Sequence, residues 1–150
     1  MIRDTIKTAL VAAMKGGDKE RVAAIRLIQS AIKNRDIELR TAATQPDDDV
    51  LVTEVLQKMV KQRRESIAMY ETGGRAELAA AEAREVTVIE GFLPSQMSED
   101  ETRAAINAIA TEIGAGSVKD MGRVMAVLKE RHAGQLDMGR ASGLVKARLG

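Results

Sequence analysis

Val86-Thr87-Val88-Ile89 is the stretch on which the fold turns, because four successive β-branched residues are the material of a buried strand. Its surroundings argue the other way. Ala79-Ala80-Ala81-Glu82-Ala83-Arg84-Glu85 precedes it, a run of good helix formers, and no other segment offers a partner strand. Leu78, Ala81, Ile89 and Phe92 recur at helical spacing across the whole region. The stretch is therefore read as helix, and the protein as all-α.

Working outward, the turn signals are few. Gly16-Gly17-Asp18, Thr44 to Asp49 with Pro46, Gly73-Gly74, Pro94-Ser95, Gly114-Ala115-Gly116 and Gly134 cut the chain into seven pieces. Ile6, Leu10 and Ala13 stripe a first helix, and Val22, Ile25, Ile28 and Ile32 a long second one. Val52, Val55, Leu56, Met59, Val60, Ile67 and Tyr70 stripe a third. Beyond Pro94 the pieces shorten. Ser98-Glu99-Asp100-Glu101 reads as a capping box opening a helix with Ile106, Ile109 and Ile113. Ser117 or Asp120 is expected to cap the next, with Met121, Val124, Met125 and Leu128. Asp137 is expected to open the last, with Ala141, Leu144, Val145 and Leu149. Pro94 marks the expected boundary between a helical domain of about four helices (1–94) and a three-helix tail (98–150).

The 150 residues carry 23 Lys+Arg and 22 Asp+Glu, but the balance is uneven along the chain. Residues 1–97 hold 15 of each sign. From Gly114 onward seven basic residues stand against three acidic ones, a local charge of +4. With no cysteine, disulfides, iron–sulfur ligation and thiol nucleophiles are excluded. Tyr70 and Phe92 are the sole aromatics, so base-stacking platforms are excluded too. No run approaches the ~18 apolar residues of a membrane span. Nothing at Met1-Ile2-Arg3-Asp4 reads as a secretory signal, so a cytoplasmic location is expected.

Few residues suit catalysis. His132, the single histidine, falls at a helix end, where it suits the unpaired carbonyls of the last turn. No His/Asp/Glu spacing suggests a metal site, no Ser or Thr has a neighbouring base, and the glycine pairs lack a phosphate-cradling pattern. Neither metal nor cofactor is expected. Glu85 on a partly apolar stripe could be a buried acid paired with arginine, although a solvated face is the commoner outcome. The basic positions are more suggestive: Arg21, Arg26, Lys33 and Arg35 on the second helix, Lys58, Lys61, Arg63 and Arg64 on the third, and the cations of the tail. Such residues can hold phosphates or merely lend solubility.

Several strings point one way. Arg26-Leu27-Ile28-Gln29-Ser30-Ala31-Ile32-Lys33, Lys61-Gln62-Arg63-Arg64-Glu65-Ser66-Ile67, Gly74-Arg75-Ala76-Glu77-Leu78, Leu93-Pro94-Ser95-Gln96-Met97-Ser98 and Asp120-Met121-Gly122-Arg123-Val124-Met125 resemble the YqeY family. The last string is also similar to the Gly-Lys-Val-Met signature in the tail of GatB, a subunit of the tRNA-dependent amidotransferase. The resemblance implies a longer helical part followed by a small three-helix tail, the element that in GatB helps hold the tRNA body. Gly122, Val124, Met125, Lys129 and Gly134 match the tail. Gly134-Gln135-Leu136-Asp137 departs from the commoner Gly-Arg-Ala-Asp, which removes a phosphate-gripping arginine.

The resemblance also carries a carbon–nitrogen ligase label with glutamine as amide donor. A domain of about 50 residues without an acid/base set is poorly equipped to activate a carboxylate, deliver ammonia and exclude water. The expectation is therefore a tRNA-binding accessory protein whose contacts come from Lys119, Gly122, Arg123, Lys129, Arg140 and Lys146, with no catalytic residue assigned. Possible further partners are an aminoacyl-tRNA synthetase or an amidotransferase complex. Competing readings are a helical protein–protein interaction module, an enzyme with an unrecognised site among Arg63, Glu82 and Glu85, and, with least support, a membrane-surface helix.

Overall fold

Val86 to Ile89 lies inside a helix, α4 (Ala76–Glu90), with Val86 and Ile89 buried. The computed structural model describes residues 1–150, and it contains no strand. The other helices are α1 (Ile2–Lys15), α2 (Lys19–Glu38), α3 (Asp48–Thr72), α5 (Glu99–Ile113), α6 (Met121–Arg131) and α7 (Met138–Leu149). Two short 3₁₀ turns, Leu39–Thr41 and Val118–Asp120, complete the regular structure. Two compact units divide the chain, Met1–Leu93 and Pro94–Gly150.

In the first unit the apolar stripes meet as their spacing requires. Ile6, Ile25, Ile28, Val52, Leu56 and Ile89 are fully enclosed, and Phe92 closes the same cluster. Each such side chain contributes about 1.5–3 kcal/mol of burial. Asp18 opens α2, its Oδ1 accepting from the Arg21 amide at 3.1 Å. Arg3 of α1 then reaches two other helices. Its guanidinium donates to Asp36 of α2 at 2.9 and 3.0 Å and to Asp48 of α3 at 2.8 Å. The paired arginine holds the Asp48 carboxyl below its ordinary value, mainly through those hydrogen bonds.

The helices α3 and α4 share the most extensive pairing of the molecule, but not over equal lengths. With 25 residues against 15, α3 runs well past what α4 covers. The inner part of this hairpin (Met59, Ile89) belongs to the core cluster. Ala79 and Val86 are buried on the hairpin yet stand outside that cluster.

The second unit packs Ile106, Ile109, Ala110, Val124, Leu128, Leu136, Ala141, Val145 and Leu149 into a separate cluster. The capping box forms: the Glu101 amide donates to Ser98 Oγ at 3.1 Å while the Ser98 amide donates to Glu101 Oε1 at 3.3 Å. Gly114 ends α5 in the left-handed region, φ 69°, letting the Ala115 amide reach back to the Ala110 carbonyl at 2.9 Å. The entry segment is pinned to the α6–α7 turn by Met97 N–H to the Gln135 carbonyl and Gln96 Nε2 to the Gly134 carbonyl, both 2.7 Å.

Candidate nucleic-acid interface

The residues expected to contact RNA begin with Lys119 in the 3₁₀ turn and continue with Gly122, Arg123 and Lys129 along α6, then Arg140 and Lys146 along α7. Lys119, Lys129, Arg140 and Lys146 are exposed and enter no ion pair. Arg123 is engaged differently. Its Nη1 donates to Asp120 Oδ1 at 3.2 Å and its Nη2 to the Ile113 carbonyl at 3.1 Å, so it caps the end of α5. Gly122 is exposed, with open space where a Cβ would stand.

The acidic residues of this segment are occupied locally, which shapes its field. Asp120 does not cap α6 through its side chain, and neither does Ser117. The Asp120 carboxylate instead accepts from the Gly116 amide at 3.1 Å, and that bond, before Arg123, lowers its pKa. Asp137 caps α7 by accepting from the Gly139 amide at 2.8 Å. Arg131 is neutralised by Glu112 of α5 through two bonds of 2.7 Å. Arg148 donates to Asn107. Among the acidic side chains after Gly114, Glu130 alone has neither role. Four cations therefore face solvent without an ion-pair partner, in a segment whose local charge is +4.

Gln135, where the resemblance expects arginine, serves the turn itself. Its side-chain oxygen stands 3.2 Å from His132 Nδ1, and its carbonyl receives the Met97 amide. His132 is the C-cap of α6, with its amide bonded to the Leu128 carbonyl.

The basic clusters expected on α2 and α3 are partly dissolved by pairing. Arg63 meets Glu85 at 2.8 Å, Arg64 meets Glu90, Arg35 meets Glu38 at 2.8 Å, and Arg21 lies 6.0 Å from the centroid of the Phe92 ring. For Glu85 the less common alternative holds. It is a half-buried acid paired with arginine, because its stripe packs against α3 instead of facing solvent. A cleft of about 370 Å³ opens between the start of α2 and α4, lined by Asp18, Glu20, Arg21, Arg84 and Glu85 over an alanine floor. It brings together carboxylates and guanidinium groups but no hydroxyl nucleophile or imidazole. No three potential metal-ligating side chains converge, and no helix is long and apolar enough to cross a membrane.

A small all-helical protein whose last two helices and their turns, from Gly114 onward, carry a local excess of positive charge is the class this geometry defines. The chain belongs to the YqeY-like protein family, whose pattern it matches over residues 3–149. It is similar to proteins named altered inheritance of mitochondria protein 41, mitochondrial. The relative from Kluyveromyces lactis is 31% identical over 111 residues, covering 72% of this chain and 58% of that protein. The one from Eremothecium gossypii is 30% identical over 110 residues, with the same coverage. A Saccharomyces cerevisiae relative is 28% identical over 120 residues, 76% of this chain and 63% of that protein. The chain thus spans less than two thirds of the length of these relatives. Their names overturn the expected cytoplasmic location. That expectation rested on missing cysteines and a missing secretory signal, and neither feature separates cytosol from another reducing compartment.

Proposed function

We propose that this protein is an accessory factor that docks on folded RNA of the tRNA class through its C-terminal three-helix bundle. The carrying observation is the set Lys119, Lys129, Arg140 and Lys146, four exposed cations without acidic partners in a segment whose aspartates are engaged by backbone amides. Long cationic side chains on short helices hold sugar–phosphate by shape and charge, and need no aromatic stacking. In this reading Lys119, Gly122, Lys129, Arg140 and Lys146 are the proposed contacts, and Arg123, bonded to Asp120 and the Ile113 carbonyl, positions the α5–α6 junction. The resemblance of the Gly122 to Met125 region to the GatB tail supports the same reading. Any relation to glutamine-dependent ligase chemistry stays with the larger machine that supplies the reaction centre.

Titration of the intact protein with total tRNA over a range of salt concentrations tests this. Affinity is expected to fall steeply with salt, by a log–log slope on the order of −3, as expected for about four phosphate contacts. Reversing Lys129, Arg140 and Lys146 to glutamate should cut that slope by about one unit per residue. Equal affinity in the triple variant would remove the tail from the interface.

A further inference from the structure

Along α2 the residues Lys19, Arg26 and Lys33 stand seven apart, and Arg40, seven further on, continues the row into the 3₁₀ turn. Seven residues fall about 20° short of two full helical turns, so the row keeps to one face and drifts slowly around it. Its members are about 10 Å apart along the axis. Between them lie Ala23, Ser30 and Ile37, so cations alternate with small or apolar residues at steps of four and three. All seven side chains are exposed, Ile37 by 45%. The row is turned away from Ile25, Ile28 and Ile32, the side chains that α2 gives to the core.

Nothing on α2 itself opposes this charge. Lys19, Arg26, Lys33 and Arg40 enter no ion pair, whereas the acids at and within α2 are engaged by other groups. Asp18 accepts from the Arg21 amide, Glu20 lies 3.6 Å from Arg84 of α4, Asp36 is taken by Arg3 of α1, and Glu38 by Arg35. None of these four acids stands at a position of the row. The result is a straight line of unpaired cations on an exposed helix face.

We propose that this face of α2 is the docking site of an acidic helix from a partner protein, one whose carboxylates recur every seven residues. The charge calls for an anion, and the spacing selects its form. A second helix repeats its side chains at the same axial interval, so one carboxylate can meet each cation along the whole row. A left-handed crossing near about 20° takes up the drift. Ala23 and Ser30 are small enough to let the two backbones approach, and Ile37 adds an apolar contact to the seam. A sugar–phosphate strand winds about its own axis and leaves the ends of so straight a row, and a headgroup layer gains nothing from small residues between the charges. A second copy does not supply the match either, because no helix of this chain carries three acids at seven-residue spacing. The site is independent of the RNA reading, since it lies on the other unit and uses none of its residues.

The test uses the intact protein at low ionic strength and two fluorescein-labelled, alanine-rich model helices of about six turns. One carries a glutamate at every seventh residue with leucines at the intervening steps. The other has the same composition and leucine stripe, with the glutamates moved to the opposite face. The first is expected to bind about tenfold more tightly in fluorescence anisotropy. The double variant Arg26→Glu, Lys33→Glu changes exposed, unpaired side chains, so its urea midpoint should stay close to that of the wild type while the first peptide is weakened at least about tenfold. Reversal of Lys129, Arg140 and Lys146 should leave that peptide's affinity unchanged. Equal binding of the two peptides overturns the proposal, as does undiminished binding by the double variant or an equal loss in the tail variant. A fall in affinity of the double variant for total tRNA, or for phosphatidylserine vesicles, would also overturn it, giving the row to a phosphate surface.

Discussion

The ion pairs of the two units differ in depth. In Met1–Leu93, arginines bridge helices in half-buried positions: Arg3, with its side chain 32% exposed, ties α1 to α2 and α3, and Arg63, 17% exposed, ties α3 to α4. In Pro94–Gly150 the ion-paired arginines lie at the surface, with Arg123 at 61% and Arg131 at 45%, and five other cations make no ion pair, Arg148 among them with only Asn107 as partner. Half-buried pairs report which helices must be neighbours, because misplacing one strands a charge. Exposed pairs and free cations carry no such constraint and leave a surface available to an outside anion. The first unit alone uses half-buried arginines to fix which helices are neighbours, while exposed pairs and free cations occur in both units.

Apolar cores should erase this difference, and here the largest effects are expected. Ile28→Ala in the first unit and Leu128→Ala in the second both empty fully buried sites. Each should cost about 2–5 kcal/mol in urea unfolding, depending on how far the cavity collapses. A loss below about 1 kcal/mol at Leu128 would mean that the terminal bundle is loosely packed, and the contrast between units would then be one of order as much as charge.

Paired mutations of arginine sharpen the contrast. Arg63→Met leaves Glu85 without its donor beside the already unpartnered Glu82, and should cost about 1–3 kcal/mol, below the fully buried limit because Glu85 keeps some solvent. Arg131→Met removes an equally short pair with Glu112 on an exposed face, and its urea midpoint should not move measurably. Similar losses at both positions would break the comparison.

Arg3 adds a pH test. Arg3→Met should cost roughly 1 kcal/mol at pH 7, since its pairs are about a third exposed and screened. Asp48 has its pKa lowered by Arg3, so the stabilisation is complete above the unfolded carboxyl value near 4 and disappears as pH falls through the lower folded value. The gap between wild type and variant should therefore shrink when urea melts at pH 7 are repeated near pH 3. A gap that stays constant would assign Arg3 a packing role instead.

The fold was largely legible because it depends on local signals. Val86 to Ile89 could be read as helix from its neighbours, and Ser98, Glu101 and Asp137 announced the starts they make. Ser117 and Asp120 misled because a short polar residue at a helix start can equally serve a preceding turn, and Asp120 turns back to Gly116. At the candidate site, sequence spacing names cations but not their partners. Arg123 and Lys129 look alike in the chain, yet one is drawn to a carbonyl ten residues earlier and the other is free. Glu82 was visible as an acid near Arg63. That Glu85 takes the arginine and leaves Glu82 without a donor is a matter of tertiary geometry. One signal was available: Arg63 continues the Met59 to Tyr70 line of α3, an unusual place for a cation unless an acid faces it.

A small gain in stability is expected at one glycine of the terminal bundle. Gly143 sits in the interior of α7, exposed, with nothing within 4 Å of the position its Cβ would take. Its torsions are not in the left-handed region, so no backbone reason demands glycine. Gly143→Ala should therefore stabilise the protein by about 0.5–1 kcal/mol through helix propensity alone. What happens to tRNA affinity then separates two ways in which the cations can work. Lysine and arginine side chains long enough to reach phosphate across a gap would leave affinity unchanged. Direct approach of the nucleic acid to the α7 backbone between Arg140 and Lys146 would make one added methyl group enough to weaken binding while the fold itself became more stable. The long side chains at Lys119 and Lys129 favour the first outcome, and opposite movement of stability and affinity would establish the second.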